Sequence, residues 1–261
     1  MEKITKRFFK TRLALAWLLI LSSTACHQTG GSKQETDQTS ADSDYVAIFD
    51  GKTLAGWEGD TSYWRVEDGK IIGERKASDE PLKRNTFLIW KDGQPADFEL
   101  ELQYKISSEG NSGVNYRSER ISEIPFALKG YQADIDGKNK YTGQLYEERK
   151  RTTLAYRGQV VEVQDTPAGE SKNNAWTGLF VKDTLADDAK LRAAIKENDW
   201  NTCHIVAKGN RLQHYINGVL MSEVLDDDQK NRRNAGLIGV QIHVGPPMKV
   251  EFKDIKLKTV H

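Results

Sequence analysis

Side chains that can form directional hydrogen bonds or transfer protons occur at alternate positions in four short segments. The first segment carries Asn115 and Arg117, and the second carries Gln132, Asp134 and Asp136. The third carries Gln144, Tyr146 and Glu148, and the fourth carries Gln241 and His243. Alternate residues of a β-strand point to the same face, so each segment presents its polar groups together. Amides, carboxylates and guanidinium groups match the hydroxyls of a sugar, and carboxylates and imidazole also transfer protons. The pattern indicates a sugar site.

These polar groups can act together only if the four segments are neighbours in one curved sheet. Their side chains then converge on its concave face, which we expect here. The alternative for Arg117 is a purely structural ion pair with Asp134 or Glu148 across the strands. For His243 the alternative is an ordinary surface position.

The rest of the chain also has the alternating hydrophobicity of strands bounded by turn residues. Residues 63–66 and 70–73 are predicted to form a hairpin through Asp68-Gly69. In residues 98–106 (FELELQYKI) apolar and polar side chains alternate without a break. Further strands are predicted at 203–207, 211–216, 219–221, 236–243 and 248–257.

One helix is predicted at residues 187–198 (DDAKLRAAIKEN), with acidic residues at its start and Leu191, Ala194 and Ile195 on one stripe. We expect it to pack on the outside of the sheets. Alternation of strands with helices is absent, which disfavours a Rossmann fold or a β/α barrel. The prediction is an all-β sandwich with a short peripheral helix.

The first 25 residues have the charge, apolar run and small residues of a secretory signal peptide. The apolar run, residues 13–21, is too short for a membrane-spanning helix, which needs about 20 residues. The segment 22–26 (SSTAC) resembles a bacterial lipobox, which predicts that Cys26 is lipidated. The alternative is ordinary cleavage near Ala25, which leaves Cys26 as a free thiol.

Residues 26–43 contain almost nothing apolar and are predicted to be a flexible tether. The predicted organisation is a signal peptide at 1–25, a lipidated cysteine with its tether at 26–43, and one domain at 44–261. Besides Cys26 the chain contains only Cys203, so we expect no internal disulfide. The predicted location is the cell envelope, with a lipid anchor as the sole membrane contact.

Several other functions find no support in the sequence. The net charge is zero and no basic stripe stands out, which argues against a nucleic-acid partner. Walker, dinucleotide, paired-cysteine zinc, HExxH and nucleophile-elbow motifs are absent. The sequence requires no cofactor, although a structural calcium ion near Asp50 or Asp68 is an option.

A series of motifs resembles one known family over nearly the whole predicted domain. They are FDGKTL at 49–54, WRVEDG at 64–69, GNSGVNYR at 110–117, GYQAD at 130–134, YTGQLYEE at 141–148, HYING at 214–218 and GVQIH at 239–243. Together they resemble the DUF1080 family, also called the 3-keto-disaccharide hydrolase domain. The resemblance implies a concanavalin A-like jelly-roll β-sandwich. This chain has Gln132 and Asp134 where many members have Glu and then Gln.

The resemblance also implies a substrate class and a chemistry. A ketone at C3 of a sugar acidifies the hydrogen at C2, whose removal lets the C1 substituent leave before water adds. The candidate acid–base groups are Asp134, Glu148 and His243, with Arg117 as the partner of the enolate oxygen. The candidates for positioning hydroxyls are Asn115, Gln132, Tyr146 and Gln241.

Three alternatives to this enzyme remain open at the level of sequence. Asp134 and Glu148 could flank a glycosidic bond in an ordinary two-carboxylate glycosidase. The same fold could serve a non-catalytic carbohydrate-binding lipoprotein. It could also be a scaffold whose concave face is merely solvated.

Overall fold

The computed structural model describes residues 44–165 and 169–260, and these contain nineteen strands and one helix. The predicted signal peptide, Cys26 and the tether lie outside the described residues. The strands are β1 (Val46–Ala47), β2 (Trp57–Glu58), β3 (Trp64–Glu67), β4 (Lys70–Arg75), β5 (Thr86–Trp90), β6 (Phe98–Ile106), β7 (Asn111–Arg120), β8 (Leu128–Asp136), β9 (Leu145–Glu148), β10 (Thr152–Ala155), β11 (Gln159–Val163), β12 (Ser171–Lys172), β13 (Ala175–Trp176), β14 (Leu179–Thr184), β15 (Asn201–Lys208), β16 (Arg211–Ile216), β17 (Val219–Asp226), β18 (Leu237–Ile242) and β19 (Met248–Thr259).

The strands form two sheets that enclose one main apolar core. The first sheet has the order β14-β11-β17-β16-β15-β6-β19-β4-β3, with β1 paired to β19. The second has the order β12-β13-β10-β9-β8-β7-β18-β5-β2. Neighbours that are distant in the chain, such as β7 and β18, show that long connections cross between the sheets. The predicted all-β jelly-roll sandwich is confirmed.

Strand β6 shows how the sequence produces this layering. Its apolar residues are buried and its polar residues are partly exposed in strict alternation along Phe98–Ile106. The buried set packs into the core, and β6 pairs with β15 and β19 on its two sides. Because the side-chain period of a strand is two, a shift of one residue would expose the whole set.

Two predicted turns have the backbone that their residues favour. Asp68 and Gly69 both have positive φ, 49° and 76°, between β3 and β4. Asn217 and Gly218 repeat this, at 51° and 78°, between β16 and β17. Positive φ at both central residues matches the twist of a tight hairpin, and Asn, Asp and Gly adopt it with least strain.

The helix is shorter than the sequence predicts. Helix α1 covers Asp188–Ala193, and both Leu191 and Ile195 are buried. Beyond the helix, the Asn201 side chain binds the backbone of Lys196, accepting from its N–H and donating to its carbonyl at 2.8 Å each. No helix within the described residues is long and apolar enough to cross a lipid bilayer.

Candidate functional site

The outer face of the second sheet carries most of the polar side chains that the sequence singled out. On β9, Leu145 points into the core, whereas Tyr146 and Glu148 point outward into a cleft. We call this space, of about 370 Å³, the amide cleft. Its predicted lining residues are Gln132, Asp134, Gln144, Tyr146, Glu148 and His243. The cleft is large enough for a small ligand.

Asp134 is a buried carboxylate held by two amides. Its Oδ1 accepts a hydrogen bond from Gln132 Nε2 at 2.6 Å, and its Oδ2 accepts one from Gln144 Nε2 at 2.5 Å. Desolvation raises the pKa of Asp134 to about 7, and the two amides only partly oppose this effect. Asp134 therefore exchanges a proton near neutral pH.

Glu148 lies in the same cleft in a different setting. Asn85 Nδ2 donates to both of its carboxylate oxygens, at 3.2 and 3.3 Å, and Gln241 Nε2 donates to Oε2 at 3.3 Å. The guanidinium of Arg149 lies 3.6 Å from Oε1. Desolvation raises the pKa of Glu148, opposed by the Asn85 hydrogen bond and the charge of Arg149.

Amide groups connect the two carboxylates across the sheet. Gln241 Nε2 donates to Gln132 Oε1 at 3.0 Å as well as to Glu148, and Gln132 Nε2 donates to Asp134. Gly113 leaves room for this link, because a Cβ there would lie 2.4 Å from Gln132 Cδ. Gln241 is itself fully buried beneath the cleft, so it supports the site and does not line it.

His243 follows β18 and lines the amide cleft. Its Nδ1 donates a hydrogen bond to the carbonyl oxygen of Val244, so in the neutral ring Nε2 carries no proton. Desolvation lowers the pKa of His243, so the ring is neutral at pH 7. In that tautomer Nε2 accepts a hydrogen bond or a proton.

Of the residues predicted to position sugar hydroxyls, Tyr146 lines the amide cleft and Asn115 does not. Tyr146 lines the cleft, donates to Asn174 Oδ1 at 3.4 Å, and has a pKa that desolvation raises to about 12. Asn115 is fully buried beneath the sheet surface and does not line the cleft. Within the described residues neither polar atom of its side chain has a hydrogen-bond partner.

Arg117, a predicted site residue, does not line the amide cleft. It has a φ of 43° in an irregular part of β7, where the register with β8 shifts between Tyr116 and Glu119. Its guanidinium binds the carbonyls of Ala96 and Gly209 and forms a 3.0 Å ion pair with Asp97. The irregularity breaks the alternation that grouped Arg117 with Asn115. Arg117 is therefore removed from the candidate site, both as enolate partner and as an ion-pair partner of Asp134 or Glu148.

Five other residues line the amide cleft without having been predicted as site residues. They are Asn85, Asn111, Tyr141, Arg149 and Asn174. Arg149 has a φ of 56° just beyond β9, so its position depends on a turn that strand alternation does not describe. Asn111 and Tyr141 fall inside the family motifs, which is the signal that could have found them. Asn85 and Asn174 carry no such signal.

A second space of about 370 Å³ adjoins the amide cleft and shares Asn111, Tyr141 and His243 with it. We call it the loop cleft, because residues 244–248 form one of its sides. Its remaining lining residues are Glu109, Gly110, Asp136, Lys138, Lys140, Val244, Gly245, Pro246 and Met248.

Within residues 44–165 and 169–260, no group of three or more His, Cys, Asp or Glu side chains is arranged to hold a metal ion. Asp50, a candidate for calcium, accepts hydrogen bonds from the backbone N–H groups of Lys52 and Thr53 and from the Thr53 hydroxyl. The calcium option near Asp50 or Asp68 stays a prediction.

Known proteins resemble this chain in sequence and in fold. The profile of the 3-keto-alpha-glucoside-1,2-lyase-like domain matches residues 44–258. A 3-keto-disaccharide hydrolase of Bacteroides thetaiotaomicron is 32% identical over 97 residues, which are 35% of this chain and 33% of that protein. The match therefore spans about a third of the curated relative.

Two solved structures from Parabacteroides distasonis, both provisionally described as glycosyl hydrolases, have the same fold. One has a TM-score of 0.53 at 19% identity and covers 84% of this chain and 95% of its own. The other has a TM-score of 0.53 at 17% identity and covers 83% of this chain and 99% of its own. At these identities the likeness is one of fold alone.

Proposed function

Because the chain belongs to the 3-keto-alpha-glucoside-1,2-lyase-like family, we propose that its amide cleft cleaves the C1 substituent from 3-keto-glycosides or related oxidised disaccharides. One observation carries the proposal. Two carboxylates with raised pKa values share the cleft with a guanidinium group and a neutral histidine. Such a set can remove a proton, stabilise an enolate and protonate a leaving group.

Glu148 is the proposed base. It has Arg149 beside it, which favours the ionised carboxylate. It removes the proton at C2, and the electron pair of that C–H bond forms the enolate across C2, C3 and O3. The Arg149 guanidinium replaces Arg117 as the partner of the enolate oxygen, since it lies in the cleft and Arg117 does not.

Asp134 is the proposed acid. It retains a proton near neutrality because its pKa is about 7. It lies two residues from Asp136 on β8, and Asp136 lines the loop cleft. The enolate collapses to a C1–C2 double bond and restores the C3 ketone, while the departing oxygen takes the proton of Asp134.

Water then adds across the C1–C2 double bond and completes a net hydrolysis, and each carboxylate transfers its proton in the opposite direction. Ionised Asp134 takes a proton from the water that attacks C1, and protonated Glu148 returns a proton to C2. His243 Nε2 accepts a hydrogen bond from the substrate, and Gln132 and Gln241 hold the two carboxylates. The balance requires only substrate and water.

The choice of leaving group tests the two carboxylates separately. A 4-nitrophenolate leaves without protonation, whereas an alcohol requires an acid. Asp134→Asn should therefore reduce kcat for an alkyl 3-keto-glucoside about 10²–10⁴-fold and hardly affect the 4-nitrophenyl compound. Glu148→Gln should reduce both by that factor. Equal losses for both substrates in Asp134→Asn would contradict the acid role.

Isotope incorporation separates this reaction from the alternatives. In D₂O, the proton that Glu148 has removed exchanges with solvent before the return step, so the proposed route places deuterium at C2 of the released 3-keto-sugar, and displacement by a two-carboxylate glycosidase does not. Because the ketone itself permits slow exchange, released product incubated without protein is the control. Binding of a 3-keto-glycoside without turnover would identify a carbohydrate-binding protein, and absence of both would favour a scaffold.

We also propose that Cys26 carries a lipid that anchors the protein at the cell envelope. The charged, apolar and small residues at 3–26 support this location. Cells grown with an alkyne fatty acid should label the wild-type protein and not Cys26→Ser. Equal labelling of both proteins would contradict the anchor.

We propose that turnover needs no added cofactor, since the carboxylates supply every proton transfer. The rate should be unchanged after treatment with EDTA, and loss of activity that calcium restores would support the structural calcium site instead.

A further inference from the structure

We infer that the loop cleft binds the leaving group and favours an aromatic or otherwise apolar aglycone over a second sugar. This inference rests on the proposed function, because it assigns the adjoining space to the substituent at C1. The two clefts adjoin at three shared lining residues, so a ligand in the amide cleft lies next to the loop cleft. Each cleft has about 370 Å³.

Three charged side chains of the loop cleft, Glu109, Asp136 and Lys138, already have partners within the protein, and Lys140 Nζ lies 4.9 Å from the centre of the Tyr141 ring. Lys138 Nζ forms a 2.7 Å ion pair with Glu109. The Asp136 carboxylate accepts the backbone N–H groups of residues 140–142 at 2.7–3.0 Å. A sugar hydroxyl placed here would lose hydrogen bonds to water and find few groups to replace them, which weakens binding.

The side formed by residues 244–248 presents carbon to the cleft. Val244, Pro246 and Met248 line this side, and Val244 keeps 37% of its surface exposed. Apolar surface of this kind gains from contact with an apolar ligand. The amide cleft differs, because its lining consists mainly of amide and carboxylate groups.

This apolar side is held in place at two points. Asn85 Oδ1 accepts the N–H of Val244 at 2.9 Å, while Asn85 Nδ2 binds Glu148. The buried Arg75 donates to the carbonyl of Gly245 at 2.6 Å. A supported surface needs little ordering when a ligand binds, so its contacts contribute to affinity.

Benzyl and methyl 3-keto-glucosides test the inference, because their leaving alcohols have similar acidity and differ mainly in the ring. The purified chain should process the benzyl compound with a kcat/KM about tenfold higher than the methyl compound, and higher than 3-keto-lactose. A benzyl-to-methyl ratio near one, or a preference for 3-keto-lactose, would overturn the inference.

Val244→Asn removes apolar surface while its backbone N–H can still bind Asn85. It should lower the benzyl-to-methyl ratio towards one. Val219→Asn is the matched control, since Val219 is also 37% exposed and lines neither cleft. The ratio should be unchanged in that variant. An equal ratio in wild type and Val244→Asn would also overturn the inference.

A separate measurement distinguishes failure of the inference from failure of the proposed function. If no 3-keto-glucoside is cleaved, the proposed reaction is wrong. Calorimetry with unoxidised benzyl and methyl glucosides then tests the apolar subsite of the loop cleft independently of the reaction. About tenfold tighter binding of the benzyl compound, lost in Val244→Asn, would support the apolar subsite, and equal affinities would exclude it.

Discussion

Glu147 and Glu148 are adjacent on β9 and face opposite sides of the same sheet. Glu147 is fully buried on the inner side, where Oε2 accepts from Arg151 Nε and Oε1 lies 3.8 Å from Lys150 Nζ. Glu148 faces the amide cleft, where its hydrogen-bond donors are neutral amides and Arg149 stays at 3.6 Å.

The difference lies in what neutralises each carboxylate. Arg151 also binds Asp226 at 2.6 Å and Asp228 at 3.4 Å. Glu147, Arg151, Asp226 and Asp228 therefore form a network of paired charges, which we call the inner cluster. Amides satisfy the hydrogen bonds of Glu148 and Asp134 without supplying a full positive charge, so desolvation raises the pKa values of both. Paired charges suit a structural role, and amide-bound carboxylates retain the ability to exchange protons.

The largest expected effect comes from the inner cluster. Arg151→Met would leave Glu147, Asp226 and Asp228 buried without their main cation. Removing one partner of a buried ion pair costs about 3–5 kcal/mol. Urea unfolding should show a loss of that size, or the variant should be insoluble. A loss under about 1 kcal/mol would show that the cluster is not structural.

Comparing the Gln variants of the two neighbouring glutamates should separate effects on stability from effects on activity. Glu147→Gln should lower the free energy of unfolding by about 1–3 kcal/mol, because Arg151 loses a charged partner, and keep kcat. Glu148→Gln should keep stability within about 1 kcal/mol and lower kcat about 10²–10⁴-fold. Unfolding curves and turnover of a 3-keto-glucoside check both. If the two variants behaved alike, the comparison would fail.

Asp134 should make both activity and stability fall as the pH rises through about 7. Its folded pKa exceeds its unfolded value, so its contribution to stability is full below pH 4 and is lost as the pH passes about 7. The proposed acid is lost over the same range. Unfolding from pH 4 to 8 should show a larger loss in wild type than in Asp134→Asn, in which Glu148 still has a raised pKa. An identical pH dependence in both would contradict the raised pKa.

The smallest expected effect concerns the link between the two carboxylates. Gly113→Ala would push the Gln132 side chain away and weaken its bond to Asp134. Overpacking costs about 1–3 kcal/mol, and kcat should fall severalfold with KM less affected. Gly209→Ala, in a turn with a φ of 55° that strains alanine although its Cβ meets nothing within 4 Å, is a control for a destabilising glycine substitution outside the site. Unchanged kinetics in Gly113→Ala would remove Gln132 from the positioning role.

Strand alternation was enough to predict most of the polar face. Gln132, Asp134, Tyr146 and Glu148 lie on regular strands whose neighbours are paired in register, so local period-two reasoning carried over into space. The same reasoning failed at Arg117, because the register shift in β7 turns its side chain towards Asp97 and Ala96. One irregular residue in a strand is enough to turn a side chain away from the face that strict alternation predicts.

The sequence by itself determined the all-β class, several hairpins and the polar face, since these depend on side-chain period and on turn residues that act locally. Only the tertiary structure decided which strands are neighbours, as with β7 and β18. It also brought Asn85 and Arg149 to Glu148 and gave neighbouring glutamates different partners. Contacts between distant segments depend on how two sheets pack and where loops end, and no local pattern encodes them.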